Sequence, residues 1–189
     1  LLSVHGVAGV GKSRLAEEIG RRHLARFVSG GGLWRCSLAQ ASSTEGVCAA
    51  VASVLSIPLG GADTADAAIR QVGQALAGRG HTLLLLDDAD LIAAALPQLM
   101  ETWLAQAPQL HVLITARTAL RLADGVAIEL LPLALPGESA GVEATLACEA
   151  VTLLLDRVDP QDALSQEDVA ALALLARRLD GIPLAIELA

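Results

Sequence analysis

Short apolar runs alternate with amphipathic stretches along the 189-residue chain. The apolar runs predict five strands, at 1–5, 32–39, 81–87, 111–117 and 126–133. Between the first two runs, Leu15, Ile19, His23 and Phe27 recur at helical spacing, and similar stretches separate the later runs. Alternating strands and helices are typical of βαβ units. We therefore predict an α/β fold with a five-stranded parallel sheet flanked by helices.

The helical stretches also indicate how the chain is organised. Within the strand-containing part, further helices are predicted at 47–54, 65–76 and 91–107. Beyond the turn-rich segment 136–141 the pattern becomes helical only. The helices predicted there lie at about 143–158, at about 165–179 and from Pro183 onward. This change predicts an α/β domain at 1–135 and an incomplete helical subdomain at 142–189.

Composition narrows the classes of function. A net charge of −8 without a basic stripe argues against nucleic-acid binding by this segment. The longest leucine run, 83–86, is too short to cross a bilayer, and no basic segment leads into an apolar stretch, so we expect no membrane span and no signal peptide. Because the first residue is Leu1 and the only methionine is Met100, we expect a domain cut from a longer protein. Reduced thiols in a cytoplasmic protein are expected for the widely spaced Cys36, Cys48 and Cys148.

The segment GVAGVGKS at 6–13 holds the only lysine of the chain, although 13 residues are basic. It fits the pattern G-x-x-x-x-G-K-[ST] of a phosphate-binding loop (Walker A) between a predicted strand and a predicted helix. In such a loop, glycines let successive N–H groups surround an anion. Lys12 would reach the β- and γ-phosphates, and the Ser13 hydroxyl would ligate Mg²⁺. The residues predicted to bind the nucleotide here are Gly6, Gly9, Val10, Gly11, Lys12, Ser13 and Arg14.

Acidic residues follow the leucine-rich strand at 87, 88 and 90. Asp87 lies at its carboxyl end, where ligands bind in open parallel sheets, and would hold Mg²⁺ together with Ser13. Asp88 would polarise an attacking water; the alternative is a solvated residue or a helix cap. Asp90 is predicted to cap a helix that begins at Leu91.

The strand HVLITAR at 111–117 ends in Arg117, which is suited to sensing a γ-phosphate. The alternative for Arg117 is a surface ion pair. Thr115 shares its face of the strand and could point to the same site. The chain has no asparagine, which excludes the guanine-reading N-K-x-D element of GTPases. The four histidines are scattered without metal-ligand spacing.

These segments, in this order and together with GIPLAIELA at the end, resemble the nucleotide-binding core of STAND-type signalling ATPases, the relatives of NB-ARC domains. The bacterial branch, found in large ATPase regulators, is the most similar. The resemblance implies a P-loop NTPase fold, ATP/ADP and Mg²⁺ as cofactors, Asp87 and Asp88 as the Walker B acids, and Arg117 as the γ-phosphate sensor. It also implies that Gly181, Pro183 and Leu184 match a GLPL-type motif, whose proline packs near the adenine. The family also has an adenine-contacting segment before the first strand and a winged-helix domain, and we expect neither of them within these 189 residues.

The resemblance implies a nucleotide-dependent switch with slow Mg²⁺-dependent ATP hydrolysis that regulates transcription or another effector. Self-association on activation is expected, with effector and sensor domains outside this segment. The alternatives are a P-loop kinase, which needs an acceptor site and an arginine-rich lid, and an AAA+-like motor, which uses a glutamate where this chain has Asp88. A scaffold that has lost its activity is a further alternative.

Overall fold

The computed structural model describes residues 1–60, 64–158 and 164–189. Within these residues one sheet is formed by β1 (Leu2–His5), β2 (Gly32–Ser37), β3 (Thr82–Asp87), β4 (Leu110–Ala116) and β5 (Val126–Glu129). All neighbouring strands pair in parallel, in the order β2-β3-β4-β1-β5. The predicted five-stranded parallel sheet flanked by helices is therefore confirmed.

The described residues divide into two compact units. The first contains Leu1–Gly6 and Lys12–Glu129, and therefore the whole sheet. The second contains Val7–Gly11 and Leu130–Ala189. The predicted domains at 1–135 and 142–189 stay a prediction, because compact units are not by themselves independent domains.

Burial of β3 on both faces organises the first unit. Every residue of β3 is buried, as the uninterrupted leucine run requires for a strand covered by helices on both sides. The covering helices of this unit are α1 (Lys12–His23), α2 (Thr44–Val54), α3 (Ala65–Arg79) and α4 (Leu96–Gln106). Trp103 is fully buried in this core, and its indole N–H donates to the carbonyl of Ile69 at 3.0 Å. That bond satisfies the single polar atom of the largest core side chain.

Residues at the ends of α2 and α3 explain where these helices begin and stop. The Ser43 hydroxyl accepts from the Gly46 N–H at 3.1 Å, and the Thr64 hydroxyl accepts from the Ala67 N–H at 3.2 Å. These bonds satisfy amide groups that a helix leaves unpaired at its first turn. Gly80 follows α3 with a positive φ of 72°, a common way for a helix to end.

Two helix boundaries in the first unit differ from the prediction. The helix predicted from Leu91 begins only at Leu96, because residues 90–92 form a single 3-10 turn. Asp90 is therefore not a helix cap, and the prediction was wrong: Ala89 precedes the turn, and the Asp90 carboxylate accepts from the Arg117 N–H at 2.7 Å. At the other boundary, α1 ends at His23 and a 3-10 turn follows, so that Phe27 lies beyond the helix.

Phe27 belongs to an aromatic cluster instead. Its ring stacks on His81 with 4.7 Å between centroids, and His111 meets both rings edge-on. The His81 Nδ1 lies 2.8 Å from the carbonyl oxygen of Arg26. Two of the histidines that look scattered in the sequence are thus neighbours at the amino ends of β3 and β4.

The second unit is helical, with α5 (Val142–Leu146), α6 (Glu149–Val158), α7 (Gln166–Arg178) and α8 (Pro183–Leu188). The predicted helix 143–158 is divided into α5 and α6, because Ala147 and Cys148 are not helical. The thiol of Cys148 donates to the Ala134 carbonyl. A reciprocal capping box between Ser165 and Asp168 begins α7. The packed residues of this unit are Ala150, Val151, Leu154, Ala176 and Ile186. No helix of the described residues is both long and apolar enough to span a bilayer.

Candidate functional site

The glycine-rich segment connects β1 to α1, as a phosphate-binding loop requires. Gly9 and Gly11 adopt φ values of +78° and +102°, which residues with a side chain rarely tolerate. At Gly11 no atom lies within 4 Å of the position of an added Cβ, so the backbone conformation alone requires glycine there. Val10, between them, is buried, and Arg14 on the following helix is exposed.

Lys12 is the first residue of α1 and is buried, with 8% of its surface exposed. Its ammonium group donates to the carbonyl of Gly6 at 2.8 Å. The side chain therefore folds back toward the start of the loop. A buried cation at the beginning of a helix suits a polyphosphate.

Asp87 is the centre of a hydrogen-bonded group at the carboxyl end of β3. Its Oδ1 accepts from the Ser13 hydroxyl at 2.7 Å and from the Thr115 hydroxyl at 2.5 Å, and its Oδ2 accepts from Arg35 Nη2 at 2.7 Å. Burial raises the pKa of Asp87, but the bonds from Thr115, Arg35 and Ser13 outweigh it and leave the pKa below its usual value. The group is therefore a carboxylate at neutral pH.

The structure brings together Ser13 and Asp87, which were predicted to share a metal ion, and it places Thr115, which was considered for the same site, in contact with Asp87. These residues belong to α1, β3 and β4, whose neighbouring ends lie at the same edge of the sheet. Thr115 also accepts from the backbone N–H of Asp88 at 3.0 Å. One threonine hydroxyl therefore links the strand end to the turn that follows it.

Arg35 was missed by sequence reasoning. It lies on β2, and while Nη2 bonds Asp87, its Nη1 lies 2.8 Å from Glu17 Oε1 on α1. Its side chain is 49% exposed. A lone charge inside the apolar run GLWRCSLA was the available signal. Only the pairing of β2 with β3 shows which acid it meets.

Asp88 and Arg117 lie at the ends of the same strands. Asp88 is exposed and has a positive φ of 60°, which aspartate tolerates better than most residues. The Arg117 side chain is 69% exposed, and its Nε lies 3.8 Å from Asp90 Oδ2. The surface ion pair considered for Arg117 is therefore present. The catalytic role of Asp88 and the sensing role of Arg117 stay predictions.

The second unit contains the residues of the GIPLA segment. Pro183 lies in the first turn of α8, where proline is favoured. The Leu184 N–H donates to the carbonyl of Gly9 at 3.1 Å, within this same unit. Gly181 has a φ of +64°, and an added Cβ would lie 2.3 Å from the carbonyl oxygen of Leu133. Only glycine fits there, whereas contact of Pro183 with an adenine stays a prediction.

The donor atoms fit a magnesium ion that is shared with a nucleotide. Ser13 supplies a hydroxyl and Asp87 a carboxylate, and Mg²⁺ prefers such oxygen ligands while keeping phosphates and waters in its shell. Among the described residues, no group of three or more histidine, cysteine, aspartate or glutamate side chains could hold a metal ion. Ser13 and Asp87 would supply two of the oxygen ligands of Mg²⁺, and phosphates and water would supply the others.

Relatives by sequence were found in mycobacteria. The chain is 30% identical over 193 positions to an uncharacterized protein of Mycobacterium tuberculosis, covering 100% of this chain and 44% of that protein. It is 30% identical over 190 positions to a protein of the same species provisionally named an HTH-type transcriptional regulator, covering 100% of this chain and 20% of the regulator. The chain thus spans less than half of each of these relatives.

Solved structures share the fold. A STAND protein with a tetratricopeptide repeat sensor, from Pyrococcus horikoshii, matches with a TM-score of 0.57 and 16% identity, over 100% of this chain and 27% of that one. Cdc6p from Pyrobaculum aerophilum matches with a TM-score of 0.64 and 15% identity, over 98% of this chain and 52% of that one. At these identities the likeness concerns the fold alone.

The family is shown by sequence. Residues 1–122, which include the phosphate loop, the Asp87 strand and Arg117, match the family described as the AAA domain. This match takes in more than half of the chain. The chain therefore belongs to the AAA domain family of P-loop ATPases.

Proposed function

We propose that this chain is the ATP- and ADP-binding domain of a STAND-type signalling ATPase, a switch that hydrolyses ATP slowly. The observation that carries the proposal is the 2.7 Å bond between Ser13 and Asp87, which joins the phosphate-loop hydroxyl to the strand-end carboxylate. Those are the two residues that P-loop NTPases use for Mg²⁺. The family match supports nucleotide binding, and the motif order supports the STAND branch.

Each side chain has a part in binding. Lys12 and the loop amides would hold the phosphates, Ser13 and Asp87 would hold Mg²⁺, and Pro183 would pack near the adenine. When bound, Mg²⁺ neutralises charge on the phosphates. Asp88 would orient water, and Arg117 would detect a γ-phosphate, for which its exposed guanidinium must leave Asp90.

Switching needs contacts that differ between ADP and ATP. A γ-phosphate would add contacts with Lys12 and Arg117 that ADP cannot make. In the longer protein this difference would drive self-association and pass a signal from a sensor to an effector. The relative provisionally named a transcriptional regulator and the structural neighbour with a repeat sensor support that organisation.

The first test is a calorimetric titration of the chain with ADP and with a non-hydrolysable ATP analogue, both with Mg²⁺. We expect the tighter binding for ADP, because the resting state of the switch is the diphosphate form. Lys12→Ala should weaken both ligands. Tighter triphosphate binding with rapid turnover of ATP would reject the switch, and equal binding by Lys12→Ala would reject the nucleotide site itself.

A motor of the AAA type is the second candidate, because the family match favours it. The residue after Asp87 argues for the switch, since it is Asp88 and not the glutamate that such motors use. Replacing Asp88 by glutamate tests this directly. We expect faster ATP turnover in the variant than in the parent. An unchanged rate would show that the choice of aspartate at position 88 does not make hydrolysis slow.

A further inference from the structure

Both oxygens of the Asp87 carboxylate are bonded to donors of the chain itself. Ser13 and Thr115 donate to Oδ1, and Arg35 donates to Oδ2. Asp87 is only 6% exposed, so its negative charge needs a partner in place of water. Arg35 is a cation in direct contact with it.

We propose that Arg35 is an internal counter-ion of Asp87 that competes with Mg²⁺ and thereby sets how strongly nucleotide binding depends on the metal. This inference rests on the proposed function, because it concerns the same nucleotide site. It assigns a regulatory role to a residue outside the phosphate loop and outside the strand β3, which leads into the predicted acids Asp87 and Asp88.

The competition follows from charge. A guanidinium at 2.7 Å from Oδ2 stabilises the carboxylate as long as no metal is present. When a divalent cation approaches the same carboxylate, the two positive charges repel, and Asp87 must exchange one for the other. Removal of the Arg35 charge should therefore strengthen the binding of Mg²⁺ at Asp87.

Glu17 makes the exchange possible. Its Oε1 lies 2.8 Å from Arg35 Nη1, so the planar guanidinium bridges two acids through different nitrogens. The side chains of Arg35 and Glu17 are half-exposed, whereas Asp87 is buried. Arg35 can therefore leave Asp87 and keep Glu17 as its partner without losing solvent contact.

A purely positioning role predicts the opposite result. If Arg35 only held the carboxylate in the orientation that Mg²⁺ needs, its removal would weaken the binding of Mg²⁺. The sign of the change in Mg²⁺ requirement therefore distinguishes the two roles, and it can be measured without any turnover.

The experiment measures binding of a fluorescent ADP derivative to the full chain, first in EDTA and then at increasing Mg²⁺. For Arg35→Gln we expect a lower Mg²⁺ requirement: the Mg²⁺ concentration that gives half of the full change in ADP binding should fall about tenfold, which corresponds to about 1.4 kcal/mol. Affinity in EDTA should stay within about twofold of the parent. The matched control is Arg22→Gln, which removes an exposed charge that pairs with Glu18 on α1 and should leave the Mg²⁺ requirement unchanged.

A second variant keeps the test decisive if Arg35→Gln does not fold. Glu17→Gln removes the alternative partner, so Arg35 stays on Asp87 and the Mg²⁺ requirement rises. Glu18→Gln, with the same charge change one residue away, is its control. An unchanged or higher requirement in Arg35→Gln, or no difference between the two glutamate variants, would overturn the inference. Failure of the parent chain to bind the ADP derivative would instead reject the proposed function.

Discussion

At the residue scale, the candidate site depends on side chains that satisfy one another. Asp87 is buried, and the hydroxyls of Ser13 and Thr115 and the guanidinium of Arg35 stabilise its charge. The Thr115 hydroxyl makes two hydrogen bonds: it donates to Asp87 and accepts from the N–H of Asp88. It is itself buried, so no solvent is available to replace it.

Replacing Thr115 by valine tests this part. Valine keeps the shape and removes the hydroxyl, so the Asp87 carboxylate loses a donor and the Asp88 N–H loses its acceptor. We expect the free energy of unfolding in urea to fall by about 1–3 kcal/mol, the usual cost of an unpaired buried polar group. Thr115→Ser, which retains the hydroxyl, should lose less. Equal stability of the two variants would show that the hydroxyl bonds contribute nothing.

The residues of the site were predictable to different degrees. Lys12, Ser13 and Asp87 could be proposed as site residues because their motifs are local in sequence, each set by a loop or a strand end. Arg35 could not, since its partner lies 52 positions away and depends on β2 pairing with β3. The chain order of strands does not determine that neighbour.

At the element scale, all five strands were predicted, although the last ends at Glu129 and not at residue 133, and the helix ends were predicted poorly. Four consecutive buried leucines leave few alternatives to a central strand. A 3-10 turn, by contrast, has a period of about three residues against about 3.6 for an α-helix, so apolar spacing continues across the junction. Residues 24–26 and 90–92 are such turns: the first predicted helix continued through 24–26, and another was predicted to begin within 90–92.

Helix α3 offers a matched pair of glycines for testing how elements pack. An added Cβ at Gly73 would lie 2.0 Å from Gln106 Oε1 and 3.2 Å from Trp103 Cδ1 on α4, whereas at Gly78 it would meet no atom within 4 Å. Alanine within a helix is normally more stable than glycine by about 0.5–1 kcal/mol. We therefore expect Gly78→Ala to raise the free energy of unfolding and Gly73→Ala to lower it.

Urea unfolding of both variants measures this difference. Gln106 has a flexible side chain, but Trp103 is fixed in the core, so the α3–α4 contact can yield only in part. A gain in stability from Gly73→Ala equal to that from Gly78→Ala would show that the two helices are packed loosely at this point.

At the scale of the whole molecule, the sheet of the first unit has two chemically different edges. The carboxyl ends of β3 and β4 carry Asp87 and Thr115, the proposed nucleotide side. The amino ends carry His81 and His111, in contact with Phe27. Adjacent parallel strands align like ends, so both groupings follow from the strand order. The carboxyl-end grouping was considered from the sequence, whereas the histidine grouping was not.

The histidine edge predicts how stability depends on pH. Burial lowers the pKa of His111, and electrostatic repulsion from His81 and Arg26 lowers it further. The folded chain therefore binds a proton at His111 less readily than the unfolded chain, in which the pKa is about 6.5. The contribution of His111 is complete above that value and is lost as the pH falls below it. We expect the thermal midpoint to decrease as the pH is lowered from about 7.5 to about 5.

His111→Gln should make that fall smaller, because glutamine does not take up a proton. His5→Gln is the control, since His5 lies at the opposite end of β1, away from this cluster. The measurement is the thermal midpoint by circular dichroism across the pH range for the parent and both variants. A slope in His111→Gln as steep as in the parent would mean that acid acts on the fold through other groups, and the histidine edge would then be a packing feature only.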